Sequence, residues 1–306
     1  MPSSMRSHPV RCVHLQLLLA AIRLTLQASL NRMSATNHLQ WGTFSTILIS
    51  LVLFPVAQSN FYDDFVITGS TSNVRFLGAA GDELQLVLNS DAGSGFASKT
   101  LFLFGKIDME IKLIPGDSAG TVTSYYLSSE TANHDELDFE FLGNTTGEPY
   151  ILQTNIFSNG HGGREQRIYL WFNPSDSFHT YSVAWTPQRI LFLVDDVLIR
   201  VFSNNEAAGV PYPSKQPMRV FSSIWNGDQW ATQGGRVKIN WAHAPFVASY
   251  RKFKALSNDQ LTAADIALDK VKLDKLAWVK QNFVLYDYCT DHNRYPLPPP
   301  DCTHIG

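Results

Sequence analysis

Short segments that alternate apolar and polar residues, or that are rich in β-branched and aromatic residues, recur from Asn60 to about Phe253. Gly, Asn, Asp and Pro separate these segments at short intervals. Successive side chains of a strand point to opposite faces of a sheet, and closely spaced turns let neighbouring strands run antiparallel. The sequence therefore predicts an all-β antiparallel sandwich. Examples of the predicted strands are Glu83–Asn89, Gly105–Leu113, Thr121–Leu127, Glu136–Leu142, Arg167–Phe172, His179–Thr186 and Arg189–Val194.

The pattern changes toward the C-terminus. Leu, Ile, Val and Trp recur at roughly helical spacing from Gln260 to Lys280, which predicts one helix there. The next segment, Asn282–Tyr288, has the composition of a strand that adds to a sheet edge. We therefore expect a sandwich domain over residues 60–253 and a C-terminal extension, not an independent domain, over residues 254–306.

An uncharged apolar run, Thr43–Ala57, lies near the N-terminus and is followed by polar residues. The run has the length of a signal-peptide core and is too short to span a bilayer comfortably. We expect residues 1–59 to be a leader, and Met33 is a candidate true start because it precedes the apolar core by a conventional distance. The alternative is an uncleaved run that anchors the domain. Both interpretations place the domain outside the cytosol.

Charge, cysteine usage and a glycosylation sequon bear on the partner class and the compartment of the protein. The chain carries 24 Lys and Arg against 27 Asp and Glu, a formal net charge of -3, so no basic surface for a nucleic-acid partner is expected. Cys12 falls in the leader, which leaves Cys289 and Cys302 to pair across a Pro-rich tail. Asn144 begins the glycosylation sequon Asn-Thr-Thr, which is used only in a secreted chain.

Three acidic residues, Glu136, Asp138 and Glu140, alternate with apolar residues. A strand places all three acids on one face, whereas a helix would scatter the apolar residues around its circumference. Neighbouring carboxylates repel one another and weaken a strand, so the cluster predicts a function. Two alternatives remain open: a solvated sheet face paired with Lys or Arg, and a calcium site, although the spacing of an EF-hand loop is absent.

Two carboxyl groups that flank a glycosidic bond can cleave it, at about 5 Å apart in a retaining enzyme and about 6.5–9.5 Å apart in an inverting one. Along a straight strand the Cα atoms of Glu136 and Glu140 lie about 13 Å apart. Inward-leaning side chains on a curved sheet bring the carboxyl groups closer, which is compatible with retention. One Glu would then be the nucleophile and the other the acid/base, with Asp138 coupled to both.

Other catalytic machineries lack support in the sequence. The chain has no G-x-S-x-G motif and no Gly-rich phosphate loop. The isolated His161 and His179 are expected to be loop or surface residues and not metal ligands. We therefore expect no metal and no cofactor.

Residues 134–144 read HDELDFEFLGN and resemble the signature HDE-(I/L)-DFEFLGN of the plant xyloglucan endotransglucosylase/hydrolases, a branch of glycoside hydrolase family sixteen. The resemblance extends over nearly all of the chain after the leader. Further matching segments are Asn60–Tyr62, Gly93–Phe96, Phe104–Met109, Pro115–Thr123, Trp230–Thr232, Tyr286–Cys289 and Pro299–Cys302.

The resemblance implies a curved β-jelly-roll sandwich of the concanavalin-like type with an open groove. It implies retaining cleavage of the β-1,4-glucan backbone of xyloglucan through a covalent glycosyl-enzyme, with transfer to a xyloglucan acceptor or to water. Glu136 would be the nucleophile, Glu140 the acid/base and Asp138 the residue that orients the nucleophile. The implied glucan contacts are Gln153, Thr154, Asn155, Gly163, Arg164, Glu165, Gln229, Trp230, Gly234 and Arg294.

The resemblance also implies a cellular role and partners. We expect a secreted monomer that acts in the apoplast on cell-wall xyloglucan during wall construction, with no stable membrane insertion. A catalytically silent glucan-binding protein on the same groove is the alternative, and the intact trio of acids argues against it.

The sequence departs from the family in three places. Thr68–Ser72 stands where most members have Trp-Gly-Asp-Gly, and Asp228-Gln229-Trp230 replaces Asp-Asp-Trp. The second cysteine pair that many members carry after the segment matching Tyr250–Phe253 is absent. These departures affect the expected substrate preference and the rigidity of the tail, and they leave the catalytic residues intact.

Overall fold

The computed structural model describes residues 60–78 and 81–303. The expected leader over residues 1–59, with its apolar core and Met33, lies outside the described residues. Within those ranges, no helix combines the length and the apolar character needed to cross a bilayer.

The described residues form fifteen strands and four short α-helices. The strands are β1 (Phe65–Gly69), β2 (Val74–Leu77), β3 (Glu83–Leu88), β4 (Ser94–Ser98), β5 (Gly105–Lys112), β6 (Thr121–Ser128), β7 (Glu136–Leu142), β8 (Ile151–Phe157), β9 (Gln166–Tyr169), β10 (His179–Trp185), β11 (Arg189–Val194), β12 (Val197–Ser203), β13 (Arg219–Asn226), β14 (Phe246–Leu256) and β15 (Val284–Asp287). The helices are α1 (Phe61–Asp64), α2 (Ala263–Ile266), α3 (Lys270–Asn282) and α4 (Pro300–Thr303).

Two antiparallel sheets make up the described part of the chain. Sheet I has eight strands in the order β1-β4-β13-β6-β7-β8-β9-β15, and sheet II has seven in the order β12-β11-β10-β5-β14-β3-β2. Both sheets pair strands that are distant in the chain, such as β4 with β13 in sheet I and β5 with β14 in sheet II, so the fold depends on pairings between distant segments. The predicted all-β antiparallel sandwich is confirmed.

The core lies between the two sheets, where alternate residues of their strands meet. Phe139 of β7 has no solvent exposure, and its ring centroid lies 5.2 Å from that of Phe192 and 5.9 Å from that of Tyr181, both in sheet II. The odd-numbered residues of β7 therefore anchor sheet I to sheet II. Its even-numbered residues are left to face the opposite side of sheet I.

The predicted helix over Gln260–Lys280 is wrong in its N-terminal half, because the chain forms the separate helices α2 and α3 there. Ala267 and Asp269 have extended backbone angles between them. The Asp269 side chain accepts a hydrogen bond from the backbone N–H of Lys272 at 2.8 Å. This N-cap starts a new helix at Lys270, which the apolar spacing did not reveal.

Two predicted strands differ by more than one residue from their expected bounds. The strand expected over Arg167–Phe172 is β9, which ends at Tyr169, because the next residues leave the sheet. Trp171 instead packs against Phe283, with ring centroids 5.9 Å apart. The strand expected over Asn282–Tyr288 is β15, which extends sheet I beyond β9 as predicted for an edge strand.

The C-terminal segment packs on the sandwich through both sheets. Helix α3 buries Leu276 against Leu191, Leu193 and Leu198 of sheet II. Cys289 and Cys302 form a disulfide bond, as predicted. Strand β14 continues to Leu256 and so passes through the position at which the expected sandwich domain and extension meet.

Candidate active site

A cavity of about 280 Å³ lies on the outer face of sheet I and contains the three acids of β7. Strand β7 runs between β6 and β8, so each acid has a register partner on both sides. Asp138 is flanked by Tyr126 and Asn155, and Glu140 by Ser124 and Gln153. The cavity is lined by Ser124, Tyr126, Glu136, Asp138, Glu140, Asn155, Phe157, Ser223 and Trp225.

Asp138 is the most buried of the three acids, with 6% of its surface exposed. Burial raises the pKa of its carboxyl well above the ordinary value, and the negative charges of Glu136 and Glu140 raise this pKa further. Arg200, in the core below, lowers the pKa of Asp138 by a smaller amount. The raised pKa favours the protonated form of Asp138, which can donate the hydrogen bond that it shares with Glu136.

Glu140 also has a raised pKa, chiefly because it is buried, with the charges of Glu136 and Glu165 adding to the effect. Gln153 Nε2 opposes this by donating to Glu140 Oε2 at 2.5 Å. Gln153 Oε1 in turn accepts from Arg167 Nε at 2.7 Å. The environment thus favours a protonated Glu140, as a general acid requires.

The nucleophile candidate Glu136 lies at the more open end of β7, with 20% of its side chain exposed. His134 Nε2 lies 3.9 Å from Glu136 Oε2. The His134 ring also faces Phe157, with centroids 5.3 Å apart. A polar and an aromatic group therefore border Glu136 at this end of the cavity.

The predicted glucan contacts on β8 divide between the two faces of sheet I. Asn155 lines the cavity opposite Asp138, and Gln153 lies on the same face of β8, opposite Glu140. The intervening Thr154 faces the core instead, and its Oγ1 accepts a hydrogen bond from Arg200 Nη1 at 2.9 Å. The structure therefore places the Thr154 side chain out of reach of a ligand in the cavity.

The predicted contacts that follow β8 meet the tail of the chain. Arg164 is buried, and its Nε donates to Asp301 Oδ2 at 3.1 Å, so its guanidinium group is turned away from the cavity. Glu165 Oε2 accepts from Arg294 Nη1 at 2.6 Å. Gly163 has a φ of +82°, and an added Cβ there would come within 2.8 Å of the Tyr295 hydroxyl. Arg294 and Glu165 thus form one charged pair near the acid/base candidate.

The predicted contacts Gln229, Trp230 and Gly234 lie on the loop after β13. Gln229 and Gly234 are exposed, and Trp230 is half-buried against the small apolar cluster of Val122, Leu142 and Ala231. The Trp230 ring centroid lies 6.1 Å from that of Trp225, which lines the cavity. The two rings form a continuous apolar surface at this end of the site.

The sequence reasoning missed several residues that the structure places at the site: Ser124, Tyr126, Phe157, Arg167, Ser223 and Trp225. Burial and the charges of Glu136 and Asp138 raise the pKa of Tyr126 to about 12, so its hydroxyl remains a hydrogen-bond donor. Alternation along each strand indicates which face of the sheet these residues occupy. It does not indicate which strand lies next to β7 or in what register, so the sequence could not bring these residues to the site.

One of the sequence departures, Thr68–Ser72, lies at the edge of the sheet that carries the site. Thr68–Gly69 ends β1 at the edge of sheet I, and Thr71–Asn73 forms a short 3-10 turn. This segment carries no aromatic ring, so the edge strand offers no stacking surface there.

The predicted glycosylation site, Asn144, lies at a separate cavity of about 500 Å³ that contains none of the three acids. Its Nδ2 donates to the Pro149 carbonyl at 3.0 Å.

Comparisons with known proteins agree with this architecture. The sequence model of Glycosyl hydrolases family 16 matches residues 61–243, and that of the Xyloglucan endo-transglycosylase (XET) C-terminus matches residues 257–302. The Bacillus licheniformis beta-glucanase has the same fold, with a TM-score of 0.52 at 22% identity over 67% of this chain and 96% of that one.

Curated relatives are considerably more similar in sequence. The Arabidopsis thaliana xyloglucan endotransglucosylase/hydrolase protein 15 is 48% identical over 274 residues, which cover 84% of this chain and 94% of the relative. The Diospyros kaki xyloglucan endotransglucosylase protein 1 is 49% identical over 261 residues, which cover 83% and 91% of the two chains. The chain therefore belongs to glycosyl hydrolase family 16 and, within it, to the plant xyloglucan endotransglucosylase/hydrolases.

Proposed function

We propose that the protein cleaves the β-1,4-glucan backbone of xyloglucan with retention of configuration and transfers the new end to a xyloglucan acceptor or to water. The observation that carries this proposal is the shared orientation of Glu136, Asp138 and Glu140 in one open cavity on sheet I. The relatives that cover most of the chain bear the name of this activity.

In the first step, Glu136 attacks the anomeric carbon and the bond to the leaving glucan oxygen breaks. Glu140 gives its proton to that oxygen, so the leaving chain departs as a neutral alcohol. Burial favours the protonated form of Asp138, which donates a hydrogen bond that orients the Glu136 carboxylate. A covalent glycosyl-enzyme results.

In the second step, a sugar hydroxyl or a water molecule attacks the same anomeric carbon. Glu140, now ionised, removes the proton of the incoming hydroxyl, and Glu136 is released. The surface formed by Trp225 and Trp230 supplies ring faces on which sugar rings stack. Firm binding of a sugar acceptor beside the intermediate favours transfer over hydrolysis.

The assay that tests the function incubates the secreted protein with xyloglucan and a labelled xyloglucan oligosaccharide. Label that enters the polymer demonstrates transfer, and a fall in chain length with new reducing ends demonstrates hydrolysis. Binding with neither product would instead support a glucan-binding protein. A series of other β-glucans in the same assay defines the substrate preference.

The Gln153→Leu variant is expected to extend activity to higher pH. The Gln153 amide favours the ionised form of Glu140, so its removal raises the pKa of Glu140. Because the first step needs protonated Glu140, the alkaline limb of kcat/KM should move to higher pH. The measurement is the pH profile of kcat/KM.

The matched control is Gln85→Leu, in which the lost amide donates to Ser249 on sheet II. This variant should keep the wild-type profile. An unchanged or acid-shifted alkaline limb in Gln153→Leu would show that Glu140 is not the acid whose ionisation ends activity.

We also propose that the protein is secreted to the apoplast and cell wall as a monomer and that Asn144 is glycosylated. The apolar run over Thr43–Ala57 and the Asn-Thr-Thr sequon support this proposal. Treatment of the secreted protein with an N-glycosidase should lower its mass and convert Asn144 to Asp. Light scattering of the same sample measures its oligomeric state.

A further inference from the structure

The tail beyond β15 folds back onto the chain that follows β8. The Tyr288 hydroxyl and Arg164 Nε both donate to Asp301 Oδ2, at 2.5 and 3.1 Å. The Asp301 side chain is 6% exposed. The tail therefore places a buried carboxylate against a buried guanidinium group, and the disulfide bond joins the residues next to Tyr288 and Asp301.

A second buried guanidinium group reaches the same place from sheet II. Arg200 Nη1 donates to the Thr154 carbonyl at 3.0 Å, and its Nη2 donates to the Arg164 carbonyl at 2.7 Å. Two buried positive charges so close together are costly unless a negative charge accompanies them. Asp301 supplies that charge to Arg164, while Asp287 and Asp301 both supply negative charge near Arg200. We call Arg164, Arg200, Tyr288 and Asp301 the tail network.

The tail network connects to the cavity through the backbone of Arg164. The Arg164 backbone N–H donates to Asn155 Oδ1 at 3.0 Å, and the backbone N–H of Ile156 donates to the same oxygen at 2.9 Å. With Oδ1 held by two backbone donors, the Asn155 NH2 group is the part of the side chain left to act in the cavity. Asn155 lies directly opposite Asp138 in the sheet.

Loss of the Asp301 charge would leave the Arg164 guanidinium buried without a carboxylate. Its remaining acceptors are the carbonyl oxygens of Ile156 and His161, at 3.2 and 2.7 Å. A buried cation held by carbonyls alone is less stable than the same cation in water, so the segment moves outward to solvate it. The Arg164 N–H moves with the segment, which leaves Asn155 Oδ1 with only the Ile156 N–H of its two backbone donors and loosens the Asn155 side chain.

Resting on the proposed function, we propose that Asp301 is a positioning residue for glycosyl transfer: through Arg164 it fixes the Asn155 amide beside the catalytic acids. The C-terminal tail thus affects the reaction through Arg164 and Asn155 and not by lining the cavity. Asp301 itself contacts neither the substrate nor the reacting atoms.

The test is a double-mutant cycle between Asp301→Asn and Asn155→Ala, measured as kcat/KM for transfer to a labelled oligosaccharide. Because small misplacements of a positioned group are costly, each single variant should lose about 10- to 100-fold. If Asp301 acts through Asn155, the double variant should lose no more than Asn155→Ala alone. A purely structural role for Asp301 would instead multiply the two losses.

Tyr288→Phe provides a second variant that keeps the Asp301 charge and removes one of its hydrogen bonds. The loss of kcat/KM in Tyr288→Phe should be smaller than that in Asp301→Asn. In the Asn155→Ala background, adding Tyr288→Phe should cause no further loss. The stability control is Val279→Ala, which removes buried packing from α3 and changes none of the four residues of the tail network. Below its unfolding temperature this control should keep wild-type kcat/KM.

Three results would overturn the proposal: multiplicative losses in either cycle, full activity in folded Asp301→Asn, or full activity in Asn155→Ala. Each of them leaves the proposed function standing. Failure of the function is recognised separately, because the wild-type protein would then form no product from xyloglucan.

Discussion

Replacing Glu136 by Ala is expected to reduce xyloglucan cleavage by on the order of 10⁶-fold, the scale of loss seen when an enzyme loses its covalent nucleophile. Without the Glu136 carboxylate no glycosyl-enzyme can form. Glu140→Ala should cost less, about 10²–10⁴-fold, because general acid–base catalysis contributes that much. Initial rates on xyloglucan measure both losses.

Azide distinguishes the two roles by the configuration of the product. With an aryl xyloglucan oligosaccharide as substrate, azide enters the space left in Glu136→Ala and attacks the face opposite the leaving group, which gives an α-glycosyl azide. In Glu140→Ala the glycosyl-enzyme still forms, and azide attacks it to give a β-glycosyl azide. Exchanged configurations would reverse the assignment.

The control for both variants is Glu83→Gln, a carboxylate removed from β3 in sheet II. It should retain the wild-type rate and give no azide product. An Ala variant at position 136 that retained full activity would eliminate the proposed mechanism.

Phe139→Ala is expected to lower the free energy of unfolding by about 3–5 kcal/mol. The Phe139 ring packs between the sheets against Tyr125, Tyr181 and Phe192, and its removal leaves a cavity that the strands cannot fill. Denaturant unfolding measures the change.

Two variants calibrate this measurement. Phe139→Leu keeps most of the apolar volume and should cost less than Phe139→Ala. Leu297→Ala removes an apolar side chain that is 83% exposed and should change the stability by less than about 0.5 kcal/mol. Equal effects of Phe139→Ala and Leu297→Ala would contradict the assignment of Phe139 to the core.

Alternation along the chain was sufficient to predict the two faces of β7. Glu136 and Glu140 face the cavity, and Phe139 faces the core, because a strand allows no other arrangement of neighbouring residues. The all-β class followed from the same signal in other segments. These features depend on the local geometry of a strand, which the order of apolar and polar residues in a single sequence is enough to indicate.

Features that depend on partners distant in the chain were not predictable in this way. Thr154 and Asn155 are neighbours in a stretch expected to contact glucan, yet the register of β8 turns Thr154 to the core. Arg164 is buried because Asp301 arrives from the tail, and Trp225 joins the site because β13 pairs with β6. Only the pairing of distant strands brings these residues together.

The order of strands in the sheets has a consequence for biosynthesis. One wall of the cavity that contains the three acids needs β13 beside β6, and β5 in sheet II receives its neighbour β14 later still. A ribosome-bound chain that stops before Arg219 has the three acids but lacks one wall of the cavity. The cavity that contains the three acids is therefore complete only after most of the chain has been translated.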